Sequence, residues 1–320
     1  MITFFTTAKP FRGLSAIIQR NALKSWKLLH PDVEVILFGN DEGTSEVSRE
    51  FGLRHEPEVA RNAAGLPYMN AMFDRAHEIS SYEILCYANC DIILTFDFPE
   101  AFRCVNTAAN DFLMIGRRWD TDVTQPLDFL NPRWQQEIRE IARKSNDQRD
   151  GWWIDYFLFG RGMFYKKIPE FVVGRPRWDS WLVWKALSSG ARVIDVSGEV
   201  LVIHQNHGYA AHPKGRDGVW ADESSRRNIA LSGGTLHLCK IDDATDRLTA
   251  GGIKPNWARH LYAIKRNLDY ITRALTFNVW VPVWHFCLGI TRPIRARLGL
   301  RSKLSRPTAE KDSPPARTLT

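Results

Sequence analysis

One run of residues constrains the fold more than any other: Tyr82–Leu94, YEILCYANCDIIL. Apolar side chains lead in, Asn89 and Asp91 interrupt, and Ile92, Ile93 and Leu94 resume. So little polar surface belongs to a strand inside a sheet that is covered on both faces. A carboxylate placed there needs a partner, because an unpaired buried charge is strongly unfavourable. Residues two apart on a strand face the same side, so Asn89 and Asp91 can hold one cation between them. Hard divalent ions such as Mg²⁺ take oxygen ligands of this kind and often hold substrate phosphates as well. The competing reading is a strand-end turn in which both side chains satisfy backbone groups.

Strand and helix patterns alternate around that run. The sequence predicts strands at Ile2–Thr6, Val33–Phe38, Arg54–Glu58 and Ile84–Tyr87, with helices at Leu14–Leu29, Ser45–Phe51 and Pro67–Ile79 between them. This is the signature of βαβ units and a mostly parallel sheet flanked by helices. Further on, Asp111–Gly116, Leu158–Tyr165, Arg192–Val196 and Val200–His204 read as strands. Pro132–Lys144 and Trp178–Ser188 read as helices, and Arg117–Asp128 as a polar connection. Trp257, Leu261, Ile264, Leu268, Ile271 and Leu275 recur at helical spacing and predict an amphipathic helix. Ser302–Thr320, rich in Pro, Ser, Thr and charge, is expected to be disordered. The organisation expected is a domain over 1–253, a helical and interfacial extension over 254–301, and a tail over 302–320.

Charge narrows the partners. From Asn278 to Ala309 there is no acid, while Arg292, Arg295, Arg297, Arg301, Lys303 and Arg306 account for all but one of the net charge of +7. The body is nearly neutral, which argues against nucleic acid as a partner. Next to these cations, Phe277–Ile290 is apolar and aromatic but broken by Pro282. It suits either a peripheral contact with an anionic membrane face or packing against the domain. No run reaches the ~18 apolar residues of a spanning helix, and Met1–Phe5 does not read as a secretory signal. Five cysteines without close pairing point to a reducing compartment. The location expected is therefore cytoplasmic, with the inner membrane face as a place for the tail.

Three other segments carry candidate chemistry. Gly174-Arg175-Pro176-Arg177-Trp178-Asp179 is a turn opening a helix. There Asp179 is either a first-turn acid or a general base at a cleft edge. Val202-Ile203-His204-Gln205-Asn206-His207 brings two histidines off a strand end, for a metal, a phosphate or a structural role. Thr6-Thr7-Ala8-Lys9 follows the first strand, where a nucleotide commonly lies in α/β sheets. Glycine-rich phosphate fingerprints of the dinucleotide-binding and P-loop kinds are absent. Arg117, Arg118 and Lys214 are candidate cations for a leaving phosphate. Trp119, Asp120, Trp152, Trp153 and Asp155 are candidates for an acceptor pocket.

Taken in this order, the segments resemble a glycosyltransferase of the GT-A fold, the nucleotide-diphospho-sugar transferase superfamily, over Met1 to Ile253. Within it the chain is similar to a subset carrying the stretches found here as Gly174–Trp181 and His204–Tyr209. The resemblance implies a Rossmann-like α/β sheet with a C-terminal helical extension. Asn89-Cys90-Asp91 stands where the family has its DxD motif, with Asn in place of the first Asp. By that analogy Asp91, Asn89 and His204 hold Mn²⁺ or Mg²⁺, and Thr6, Thr7, Lys9, Asn89 and Asp91 contact the donor. Asp179 is the catalytic base of an inverting transfer. The implied partners are a nucleotide-diphosphate sugar donor and a glycan or lipid-linked acceptor. Two other readings stay open: a sugar-phosphate nucleotidyltransferase, and a non-catalytic glycan- or nucleotide-binding module.

Overall fold

The computed structural model describes residues 1–109, 111–208, 215–234 and 237–260. These belong to a unit spanning Met1–Tyr262. Tyr209, Lys214, most of the helix expected over Trp257–Leu275, and the basic tail lie outside the described residues.

The nucleus is a sheet built from the apolar runs. Its strands are β1 (Ile2–Thr7), β2 (Glu34–Phe38), β3 (Arg54–Glu56), β4 (Ile84–Ala88), β6 (Phe112–Ile115), β8 (Tyr156–Gly160), β9 (Arg192–Asp195), β11 (Asp246–Thr249) and β12 (Gly252–Pro255). They lie in the order β12-β11-β9-β6-β8-β4-β1-β2-β3. The pairs β1–β2, β1–β4, β2–β3, β6–β9 and β9–β11 are parallel. The sheet is thus α/β and mostly parallel, as the alternation predicts. Strand β8 is the exception at its centre: it runs antiparallel to both β4 and β6.

Alternation along the strands sorts the core into two layers. Phe4, Cys86 and Leu158 face Ala22 and Trp26 of α1 (Gly13–Lys27) and Phe98 of α4 (Asp97–Ala108). Phe5, Tyr87 and Phe157 face Met72 and Phe73 of α3 (Met69–Ile79) and Trp178 and Trp181 of α6 (Trp178–Ser188). Four tryptophans are core: Trp26, Trp134, Trp178 and Trp181 are at most 8% exposed. No helix among the described residues is long and apolar enough to cross a membrane.

A second sheet of three strands carries the site. It consists of β5 (Ile92–Ile93), β10 (Val202–Gln205) and β7 (Arg118–Thr121), with β10 in the middle. One face, formed by Ile93, Ile203 and Trp119, packs on Trp134, Ile138 and Ala142 of α5 (Trp134–Ser145). Strand β7 corrects the expectation of a polar connection over Arg117–Asp128. Its charged residues form a strand because Arg118 and Asp120 are neutralised on one face while Trp119 enters the core on the other. The strand expected over Leu158–Tyr165 sits earlier, at Tyr156–Gly160, and a turn with Gly162 at φ +91° follows it. Helix α3 starts at Met69 because Pro67 and Tyr68 are held in bridges to Arg61 and Val172.

Candidate active site

The site forms where β4 ends. Asp91 follows Ala88 by three residues, and Ile92 then leaves the large sheet to pair with β10. That antiparallel pairing sets His204 opposite Ile92, and the parallel pairing of β10 with β7 sets His204 opposite Asp120. The backbone of Asp91 is pinned as well: its carbonyl accepts from Gln205 N at 3.1 Å and from Gln205 Nε2 at 3.2 Å. Register alone therefore brings three chemically active side chains together from segments far apart in sequence.

His207 Nε2 lies 3.0 Å from Asp91 Oδ2, and His204 Nε2 lies 3.8 Å from the same oxygen. One ligand atom from each of Asp91, His204 and His207 falls within 4.8 Å of the others. Behind His204, its Nδ1 is 3.2 Å from Asp120 Oδ1, within ion-pair reach but out of line for a hydrogen bond. A carboxylate behind a histidine is the usual means of fixing ring orientation and raising basicity at a metal. Asp91 Oδ1 is buried and has no hydrogen-bond partner among the described residues. Such an orphan costs about 1–3 kcal/mol, and a cation on the trio would satisfy it. A divalent ion therefore fits the donor set of one carboxylate and two imidazoles.

Around this trio runs a buried ionic network. Arg118 donates to Asp155 Oδ2 at 2.7 Å and to Asp120 Oδ1 at 2.8 Å, and its guanidinium lies 4.8 Å from the centre of the Trp153 ring. Arg149 donates to Asp120 Oδ2 at 2.6 Å. Burial opposes the charge on Asp91, Asp120 and Arg118, but their neighbours more than offset it. His204 and His207 hold Asp91 below the ordinary carboxylate range, and His204 with Arg118 does the same for Asp120. Asp155 and Asp120 raise Arg118. Burial likewise disfavours charged His204, yet Asp91 and Asp120 raise its pKa.

Asn89 takes a different place from the one its motif suggests. Its Nδ2 donates to Asp155 Oδ1 at 2.7 Å, and its Oδ1 accepts from the Tyr87 hydroxyl at 3.2 Å. The antiparallel course of β8 explains the first contact: Ala88 pairs with Tyr156, so the residue after β4 meets the residue before β8. Asn89 N also donates to the Asp155 carbonyl at 2.8 Å. The amide cross-links the strand ends, while the trio draws its second imidazole from His207.

Asp179 stands on the first turn of α6, beside the same strand end. The ring of Trp178 packs edge-on against Tyr87 at 5.4 Å, and Tyr87 reaches Asn89. Asp179 Oδ1 accepts from Ser180 N at 2.8 Å. Burial raises its pKa from 3.8 to about 6, opposed by the Ser180 contact and reinforced by Asp155. A half-buried carboxylate poised near neutrality suits proton transfer.

The first-strand residues divide. Thr6 and Thr7 end β1 itself, and the Thr7 hydroxyl donates to the Phe38 carbonyl at 3.1 Å. Lys9 is exposed beyond them and acts electrostatically on Asp91. Among the acceptor-pocket candidates, Asp120 and Asp155 belong to the ionic network, Trp153 stacks on its guanidiniums, and Trp152 is exposed. Trp119 points away into the α5 core, because neighbours on a strand face opposite sides. Arg117 pairs instead with Asp242 at 2.6 Å.

No family model matches the chain, and no curated protein matches it. Solved structures do. A glucosyl-3-phosphoglycerate synthase from M. tuberculosis is 14% identical, over 73% of this chain and 81% of that one, with a TM-score of 0.45. TarS of S. aureus, residues 1–349, is 10% identical over 64% of this chain, with a TM-score of 0.44. The chain spans 60% of the length of that TarS structure. A mannosyltransferase from Pyrobaculum calidifontis, in complex with GDP-Man and Mn²⁺, is 15% identical over 63% of this chain and 56% of its own, with a TM-score of 0.38. These are distant likenesses of chain course, and the chemistry of the site rests on its own residues.

Proposed function

We propose that this protein is a metal-dependent glycosyltransferase that moves a sugar from a nucleotide-diphosphate sugar to a hydroxyl acceptor with inversion. The observation that carries the reading is the buried, unpartnered Oδ1 of Asp91 at the end of a central strand, with His204 and His207 beside its second oxygen. The DxD-like placement of Asn89-Cys90-Asp91 and the base-like environment of Asp179 support the same reading.

Asp91, His204 and His207 are the ligands in this mechanism. A divalent cation held there supplies neutralisation of the charge that develops on the departing diphosphate. Lys9 adds positive charge from the loop after β1. Asp120 orients His204, while Arg118 with Asn89 fixes Asp155 behind the site. Asp179 accepts the proton of the acceptor hydroxyl as its oxygen attacks the anomeric carbon from the side opposite the diphosphate. A single base so placed gives inversion.

Calorimetry with UDP and GDP, each with and without Mn²⁺, tests the reading. Wild-type protein is expected to bind one of them only with Mn²⁺, and Asp91→Ala to lose that binding. Equal binding without metal, or by Asp91→Ala, would sink it.

A further inference from the structure

The arginines around the site are nearly all committed. Arg117 pairs with Asp242, Arg118 with Asp155 and Asp120, Arg149 with Asp120, and Arg175 with Asp222. Arg177, two residues before Asp179 and half-buried, has no side-chain hydrogen bond, ion pair or ring contact among the described residues. Its backbone is also unusual. It sits at φ +88° and ψ −30°, outside the left-handed well that Asn146 and Lys166 occupy at +51° and +55°. A side chain at such a position stores about 1–3 kcal/mol and needs a surrounding structure that over-determines it.

That surrounding structure is present. Asn228 of α8 (Glu223–Leu231) is fully buried and grips the turn at both ends. It accepts from Val172 N at 3.0 Å and donates to the carbonyls of Val172 at 3.1 Å and Pro176 at 3.3 Å. Arg175 Nε donates to Asp222 Oδ2 at 2.8 Å, and Asp222 in turn caps α8 through Ser225 N at 2.7 Å. The clamp holds the residues before Arg177 while α6 holds those after it. Glycine suits this conformation without strain, yet the chain places an arginine there.

We propose that Arg177 recognises an anionic group on the second substrate, so that the acceptor is an alcohol that also bears a phosphate or a carboxylate. This rests on the reading of Asp179 as the base that faces the acceptor hydroxyl. On that reading the acceptor hydroxyl meets Asp179 and its oxyanion meets the guanidinium two residues earlier in the chain. A planar, permanently charged fork matches an oxyanion bidentately. The charge of Arg177 also favours the ionised form of Asp179, against the larger effect of burial. Arg177 then serves as a specificity-determining residue and takes no proton.

Ligand-observed NMR with glycerol phosphate, glycerate and glycerol as probes tests the assignment on wild type, Arg177→Gly and Arg177→Lys. Glycine relaxes the backbone, so Arg177→Gly should melt at or above the wild-type temperature and report on the side chain alone. Wild type is expected to bind glycerol phosphate or glycerate in preference to glycerol, the better probe showing which oxyanion is preferred. Arg177→Gly should weaken that binding roughly tenfold or more, and Arg177→Lys should restore part of it. Binding by Arg177→Gly within about twofold of wild type, or glycerol competing as well as the anions, would overturn the proposal. UDP and GDP calorimetry with Mn²⁺ on the same samples separates the two ideas. Arginine-dependent anion binding without nucleotide binding keeps the anion site and removes the donor reading. Nucleotide binding without anion preference does the reverse.

Discussion

Replacing Asp179 by Asn isolates the base from everything else at the site. The carboxyl rises from 3.8 to about 6, chiefly through burial, with Asp155 adding to the effect. That is about two pKa units, and each is worth ~1.4 kcal/mol, so the ionised group lowers stability by about 3 kcal/mol above pH 6. The folded state holds this proton more tightly than the unfolded chain. Stability is therefore expected to fall as pH rises from about 4 to about 6 and then to level off. Asn is neutral throughout, so the variant should lose that slope and melt higher than wild type at pH 7. Activity should move the other way. A positioned general base contributes roughly 10²–10⁴-fold, so kcat should drop by that order while nucleotide affinity with Mn²⁺ is unchanged. The acid limb of kcat/KM, centred near pH 6 in wild type, should vanish. Melting curves across pH and initial rates of nucleotide release measure both effects. Wild-type turnover by Asp179→Asn, or an acid limb that survives the substitution, would refute the assignment. A melting temperature that does not rise would refute the desolvation argument alone.

Two other substitutions probe the support of the site. Asp120→Asn removes the charge behind His204 and should weaken Mn²⁺ binding about 10–100-fold, read by metal titration with the ring geometry otherwise kept. Asn89→Asp supplies the first acid of the DxD pattern this stretch resembles but sets a carboxylate where an amide now donates to Asp155 Oδ1 at 2.7 Å. It should lower stability by about 1–3 kcal/mol without tightening metal binding. Stronger Mn²⁺ binding by this variant would show that the Asn89–Asp155 contact is dispensable.

The large sheet was legible except at its β11–β12 edge, because its other strands are bounded by strong punctuation and alternate with helical patterns. β1, β2, β4 and β9 fall on the apolar runs that predict them. β7 was not legible, since RWDT carries one aromatic and two charges. Only its long-range partners make it a strand: Asp155 for Arg118, Arg149 for Asp120 and α5 for Trp119. The direction of β8 was hidden for a related reason. YFLFG reads the same in a parallel or an antiparallel neighbour, and burial on both faces leaves no polar alternation to tell them apart.

Strand direction in turn decides what Asn89 does. With β8 antiparallel to β4, Asp155 arrives beside Asn89, and the carboxylate missing from the DxD-like motif is present as a neighbour held by its amide. Sequence spacing singled out Asp91 and His204. It also named His207 in the same stretch, while the analogy to the family stopped at one histidine. Arg118 then explains why so many acids tolerate each other: it joins Asp155 to Asp120, and Asp120 stands behind His204. A charge network of this kind is weak evidence for stability, because desolvation offsets much of its attraction. Its retention around one orphaned oxygen of Asp91 is better explained by a ligand that arrives with positive charge. Asp179 is kept out of that network, with no ion-pair partner among the described residues, and so retains the basicity that the paired carboxylates have lost.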